Sequence, residues 1–212
     1  MSNFGFSCLR VVRPYDVAFR EAKSAVGATE LLKSAGEYDN LVDAVSDCSL
    51  VVGTTAARDR ELHHPVRTLP EGTAMVRRKL QRGRVAILFG SEKRGLSNED
   101  FSHCDWLIRI PTEPKQPSMN LGQAVAVCLY EIARSGPKQR QAQTPSDPTA
   151  ADRERLASTL LETLRASEYS QSGKEELQKI RRLVHRLSLS TEDSQLLLGM
   201  LRQMLWKTRN RG

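Results

Sequence analysis

Between Val85 and Glu131 the sequence twice runs from an apolar stretch into a loop of small and polar residues. The first loop, Gly90-Ser91-Glu92-Lys93-Arg94-Gly95-Leu96-Ser97, has the glycine spacing of a phosphate cradle. Leu96 stands where that motif needs lysine, so the match fails at the residue that binds phosphate. No Gly-x-Gly-x-x-Gly occurs, so the dinucleotide fingerprint is missing as well. Taken alone, the loop reads as a surface turn whose glycines supply positive φ. The second loop carries Pro114, Pro117, Ser118 and Asn120 and feeds a helix. Two strand ends, each followed by such a loop, are where α/β sheets hold ligands. Glu92, Ser118 and Asn120 supply a carboxylate, a hydroxyl and a carboxamide there. His63 and His64, before Pro65, have no Cys, Asp or Glu at ligand spacing and read as surface histidines, with no metal expected.

The elements that must position these loops follow from the apolar pattern. Val85 to Phe89 is apolar on successive residues, as in a parallel-sheet strand buried on both faces. Ser97 and Asp100, three apart, form a capping box for a short helix, and Trp106 to Ile110 is a second strand stopped by Pro111. Leu121 to Ala133 is apolar nearly all round and should be buried on every side. Earlier, Leu9 to Val12 reads as a strand, and Asp16 to Val26 as a helix ended by Gly27. Leu31-Leu32 and Leu41 to Val45 read as strand, turn and helix. Ser49 to Gly53 is another apolar strand, followed by Thr54, and Glu71 to Gln81 is a helix bearing Arg77, Arg78 and Lys79. That basic cluster is either a solvated face or one that touches nucleic acid.

From Ser135 to Ala150 three prolines and a polar composition mark a linker. Beyond it the spacing predicts three amphipathic helices: one capped by Thr149 and Asp152, one by Ser172 and Glu175, and one started by Ser190 or Thr191. Their polar faces carry Arg181, Arg182, Arg186, Arg202, Lys207, Arg209 and Arg211, and residues 151–212 hold 12 Lys and Arg against 8 Asp and Glu. The division expected is a core-forming domain at 1–135, a linker at 136–150 and a helical domain at 151–212.

Over the whole chain of 212 residues Lys and Arg outnumber Asp and Glu by 32 to 25, a net charge of +7. That excess suits a polyanionic partner, or serves solubility. Cys8, Cys48, Cys104 and Cys128 have no Cys-x-x-Cys spacing and read as small reduced core residues, which excludes a disulfide scaffold or zinc ribbon. No signal peptide or membrane-length apolar run is present, so a cytoplasmic protein is expected, with no membrane partner.

Taken together, Phe89-Gly90-x-Glu92-x-x-Gly95-Leu96-Ser97, a strand ending Ile110-Pro111, and Ser118-x-Asn120-Leu121-x-x-Ala124 form an ordered pair of motifs. In these the chain resembles the SPOUT methyltransferases of the SpoU (TrmH) branch, from about Asn3 to Arg134. The resemblance implies an α/β, parallel-sheet domain whose C-terminal segment is threaded as a trefoil knot, with the small α-helical domain following it. It implies S-adenosyl-L-methionine bent in that knot and a homodimer paired across the knot helices. Gly122 and Ala126, four apart, would let another backbone come close in either packing. Main-chain groups of Gly90, Ile110 and Leu121 would hold the cofactor. Ser118 and Asn120 would orient cofactor or ribose, and Glu92 would join the same polar site. Met119 departs mildly from the family's Ser-Leu-Asn. Gly53-Thr54-x-x-x-Arg58 resembles a stretch that lines the cofactor pocket in one subfamily, which puts Thr54 in the cofactor site.

The tail, with Ile180-Arg181-Arg182-Leu183-Val184-x-Arg186 and Leu197 to Gln203, is similar to that of the TrmJ subfamily. Its members methylate the ribose 2′-hydroxyl of a pyrimidine in the tRNA anticodon loop. The partner implied is therefore tRNA, with the basic helices gripping its backbone. Methylation of ribosomal RNA, and a scaffold protein of the same fold without catalysis, remain alternatives. In the family a helix with Asn-x-Gly-x-x-x-Arg precedes a Met-x-Asn-Phe-Gly segment, and Met1-Ser2-Asn3-Phe4-Gly5 matches only the latter. The expectation is that the start lies at an internal Met and that the family's motif-one arginine is encoded upstream.

Overall fold

A computed structural model describes residues 1–14, 27–56, 63–134, 147–169 and 174–210. Four parallel strands form the main sheet in the order β4-β6-β3-β5: β3 Cys48–Thr54, β4 Val66–Thr68, β5 Arg84–Leu88 and β6 Trp106–Arg109. A separate parallel pair joins β1 Arg10–Val12 to β2 Gly36–Tyr38. Every residue of β3 except Thr54 is buried because the strand is central, with β5 on one side and β6 on the other. β5 is an edge strand and half-buried, with Val85 and Ile87 packed on one core cluster and Ala86 and Leu88 on the other. Its unbroken apolar run has a neighbouring strand on one side only among the described residues.

Helices follow the strands as the spacing predicts. α1 Thr29–Lys33 takes up Leu31 and Leu32, which the sequence suggested as strand, and α2 Leu41–Val45 is capped by Asn40. α3 Leu69–Leu80 starts from a Thr68–Glu71 capping box with Pro70 in its first turn. The predicted Ser97–Asp100 box starts α4 Asn98–Ser102. α5 Leu121–Ala133 packs Cys128, Leu129 and Ile132 against Leu50, Val52, Trp106 and Ile108 of the sheet. It is buried on one face only. Gly122, Gln123, Ala126, Val127 and Tyr130 are exposed, so the expectation of all-round burial is corrected for the single chain. The predicted Asp16–Val26 helix lies outside the described residues, as do Arg58 and Ser172.

The C-terminal helices are α6 Ala150–Ala166, α7 Lys174–Leu187 and α8 Thr191–Arg209. They bury a core of their own from Leu156, Ala157, Leu161, Ile180, Val184 and Leu201. Thr149 with Asp152 and Ser190 with Asp193 cap α6 and α8. Polar contacts seat this bundle on the edge of the sheet where β3 and β6 begin. Ala151 N–H donates to Ser46 O at 3.1 Å, and Arg153 Nη1 donates to Ser49 O at 3.2 Å. Asp105, just before β6, accepts from Val51 N–H at 2.8 Å, sits 3.0 Å from His185 Nδ1 and pairs with Arg153. Arg181, expected on a solvated polar face, is buried and ion-paired to Glu154 at 2.7 Å and to Glu99. Burial alone would raise the Asp105 carboxyl, but Arg153, His185 and the Val51 N–H outweigh it and hold it below the usual carboxylate range.

Candidate active site

Parallel pairing brings the C-terminal ends of β3, β5 and β6 to one edge of the sheet, opposite the helical bundle. Gly53 stands beside Leu88 and Thr54 beside Ile108. Thr54 Oγ1 donates to Leu88 O at 2.8 Å, and Thr55 N–H donates to Ile108 O at 2.9 Å. Beyond these residues the ladder stops and each strand opens into a predicted loop. Thr54, Gly90 and Ile110 are therefore gathered at one place, as the sequence required.

The loop after β5 is held shut by its glycines. Gly95 N–H donates to Ser91 O at 2.8 Å, and Gly95 takes φ +65°, a conformation that side chains resist. The turn folds the backbone of Gly95 and Leu96 directly over Gly90. A Cβ on Gly90 would lie 2.0 Å from Gly95 C and 2.3 Å from Leu96 N. Leu96 is buried among Val45, Val51, Phe101, Cys104 and Leu107. The residue that ruled out a phosphate cradle in the sequence is a core anchor that pins the loop. Glu92 is left at the exposed tip, with no hydrogen bond or ion pair among the described residues.

The loop after β6 leads to α5, whose far end meets α3 where Arg77 Nη1 donates to Glu131 O at 3.4 Å. α3 descends from the end of β4 toward the start of β5, so α5 begins at the same edge as the strand ends. Asn120 caps it: Oδ1 accepts from Gly122 N–H at 2.9 Å and Gln123 N–H at 3.4 Å. Only the Nδ2 donors of Asn120 then remain for anything else. Ser118 is exposed beside it, and Thr112 Oγ1 donates to Pro117 O at 3.2 Å, closing the loop on itself. The N-terminus of α5 adds its dipole and the Leu121 N–H, which the Asn120 cap does not take.

All seven predicted site residues thus belong to one edge: Thr54, Gly90, Glu92 and Ile110 from strand ends, Ser118 and Leu121 flanking Asn120. The donor set consists of strand-end main chain, a helix N-terminus, a hydroxyl, a carboxamide and a carboxylate, with no group of three or more His, Cys, Asp or Glu placed to hold a metal among the described residues.

A model of the SpoU rRNA methylase family matches residues 1–130. The chain belongs to that family. Among its relatives, the tRNA (cytidine-2′-O-)-methyltransferase TrmJ of Methanocaldococcus jannaschii is 35% identical over 205 residues, covering 94% of this chain and 88% of the relative. The tRNA (cytidine/uridine/adenosine-2′-O-)-methyltransferase TrmJ of Pseudomonas aeruginosa is 39% identical over 134 residues, 62% of this chain and 52% of the relative. Of solved structures, TrmJ from Z. mobilis ZM4 superimposes with a TM-score of 0.82 at 28% identity, covering 96% of this chain and 89% of that one. The α/β fold with its parallel sheet is that of this family of methyltransferases.

Sequence reasoning missed the residues that seat the helical bundle. Asp105 and Arg181 carry no local signal, because each acquires its role only from partners 27 to 82 positions away. Two further readings are corrected. Cys48, Cys104 and Cys128 are buried as expected, but Cys8 is exposed. His63 is exposed as expected, whereas His64 is buried.

Proposed function

We propose that this chain transfers the methyl group of S-adenosyl-L-methionine to the 2′-oxygen of a ribose in tRNA, with a pyrimidine of the anticodon loop as the target. The observation that carries the reading is the convergence of the Thr54, Gly90 and Ile110 strand ends with the capped start of α5. Relatives named for tRNA 2′-O-methylation, aligned over most of the chain, support the substrate. The donor set suits a cofactor with a purine at one end and an amino acid at the other, since backbone groups read both without needing a particular side chain. Gly90, Ile110 and Leu121 would hold it through main chain, and Thr54 would keep two of the strand ends locked together. When bound, S-adenosyl-L-methionine supplies an electrophilic methyl on a sulfonium.

The chain's own task is to hold the ribose in line and take up its proton. Positioning is worth several orders of magnitude in such a displacement. A ribose hydroxyl is a weak acid, so a group must accept the proton as the oxygen attacks. Glu92 is a carboxylate at this edge with no other partner among the described residues. Ser118 Oγ and Asn120 Nδ2 orient the sugar. We place the methyltransferase unit at 1–135, threaded as a knot through the loop after β5, and the helical unit at 151–212. The exposed apolar face of α5 supports a homodimer paired through that helix.

The test is methyl transfer to unmodified tRNA, with Asn120→Asp as the diagnostic variant. Aspartate keeps the capping oxygen, so α5 remains capped, but it removes the Nδ2 donors. Folded protein with incorporation lowered at least tenfold supports the role of Asn120. Unchanged incorporation removes Asn120 from the site. No incorporation by the unmodified chain, on any tRNA, refutes the function.

A further inference from the structure

We propose that a second polar site, a cleft between His63-His64 and α7, binds a backbone phosphate of the RNA substrate. The proposal rests on the RNA-methylating reading above and concerns a place beside the strand-end loops, lined by none of the site residues named above. The cleft is lined by His63, His64, Asn98, Phe101 and, from α7, Glu175, Gln178, Lys179 and Arg182, with a volume of about 140 Å³. That is below the ~300 Å³ at which small-molecule pockets begin, but ample for one phosphate group of a longer chain.

Two independent observations point to an anion. The first is charge. Lys179 and Arg182 are three apart on α7 and share a face with Arg186, one turn on. Neither Lys179 nor Arg182 is ion-paired among the described residues, whereas their neighbour Arg181 is fully engaged with Glu154 and Glu99. Glu175 is the one acid in the lining. The second is an unmet donor or acceptor. His64 is only 9% exposed, and its Nε2 has no hydrogen-bond partner among the described residues. Its ring packs at 6.5 Å from Phe101 on the wall of the cleft. A buried imidazole nitrogen without a partner is rare enough to need a reason. Burial, with Arg182, His185, His63 and Arg186 adding to it, pushes the His64 imidazolium down to about 4, so the ring is neutral at pH 7 and a bound anion would relieve the surrounding positive charge.

Position decides the class of ligand. His64 precedes β4, and Asn98 opens α4 two residues after Leu96, which packs over Gly90, so the cleft lies beside the methyl-transfer loops and not among them. The register places His64 level with about Val51, three residues or roughly 10 Å before the end of β3. An RNA strand with its ribose at the strand ends would carry a neighbouring backbone phosphate to the cleft. The cleft then supplies affinity and register without reading sequence.

The experiment measures tRNA binding by the full chain against salt concentration, for the unmodified protein, for Lys179→Gln/Arg182→Gln, and for Arg202→Gln/Lys207→Gln. The last pair removes the same charge from exposed α8 positions outside the cleft. The cleft variant should bind about tenfold more weakly, with its log–log salt slope reduced by about one, while the α8 variant changes less. S-adenosyl-L-methionine binding, measured by calorimetry, should be the same in all three. Equal tRNA affinity and slope in the cleft variant and the unmodified protein would overturn the proposal, as would an equal loss in the α8 variant. Failure of the unmodified chain to bind any tRNA would instead defeat the functional reading on which the cleft depends.

Discussion

Replacing Gly90 with alanine puts a methyl group into a space already filled by backbone. The added carbon would stand 2.0 Å from Gly95 C, 2.3 Å from Leu96 N and 2.4 Å from Gly95 O. All three atoms are main chain, so no side-chain rotation relieves the clash. Restoring an ordinary 3.4 Å contact requires a displacement of about 1.4 Å. Leu96 resists it because its side chain is anchored between Phe101 and Leu107. Overpacking of this kind costs about 1–3 kcal/mol, which for a chain of this size lowers Tm by roughly 2–4 °C per kcal/mol. The same shift carries Glu92 away from the strand ends, and a misplacement of about 1 Å can cost on the order of 100-fold in rate. Gly95→Ala is the control. Gly95 has φ +65° but nothing within 4 Å of an added Cβ. It should lose roughly 1–2 kcal/mol of stability from strain while leaving the loop in place and transfer within a few-fold. Thermal unfolding and methyl transfer on both variants decide the matter. Gly90→Ala with normal Tm and normal transfer would show that the loop is not packed as described or does not position the site.

Stability should fall with acid through His64. Its folded value of about 4 lies below the ordinary 6.5, so the unfolded chain binds the extra proton between those values. The contribution is complete above pH 6.5 and lost as pH falls toward 4, up to about 3 kcal/mol. Urea unfolding of the unmodified protein and His64→Gln at pH 7, 6 and 5 tests this. Identical slopes would sink it, although burial depresses His103 too and leaves some slope in the variant. On α5, Tyr130 is 54% exposed and packs edge-on against Phe4, with Val127 one turn before it. Val127→Asp should leave the monomer folded, because its side chain faces outward, and abolish the proposed dimer in light scattering. A dimer of unchanged affinity would place the interface elsewhere.

Much of the active edge was legible in the residues alone. Parallel strands must end on one edge, so the loops after Val85–Phe89 and Trp106–Ile110 had to meet once both runs were recognised as strands. Capping residues were equally local. Thr68, Ser97, Thr149 and Ser190 each precede a helix with an acidic residue three positions on that bonds back to the cap backbone or hydroxyl, a geometry decided within one turn. Leu96 could be read as a missing lysine, but its role as a core anchor depended on Val51 and Phe101 closing over it.

What the sequence could not determine is anything decided by distant partners. Arg181 and Arg182 are adjacent and chemically identical, yet one is buried in an ion cluster with Glu99 and Glu154 while the other lines an open cleft. One residue along the helix separates them by about 100° of rotation, and only the packing of α7 against α4 and α6 determines which face is covered. The same packing buries His64 and leaves His63 exposed. Pattern and spacing therefore specified the strands, the caps and the loops of the site, because those depend on neighbours in the chain. Burial of individual charges was decided by the tertiary structure, because desolvation depends on what closes over a group from far away in the sequence.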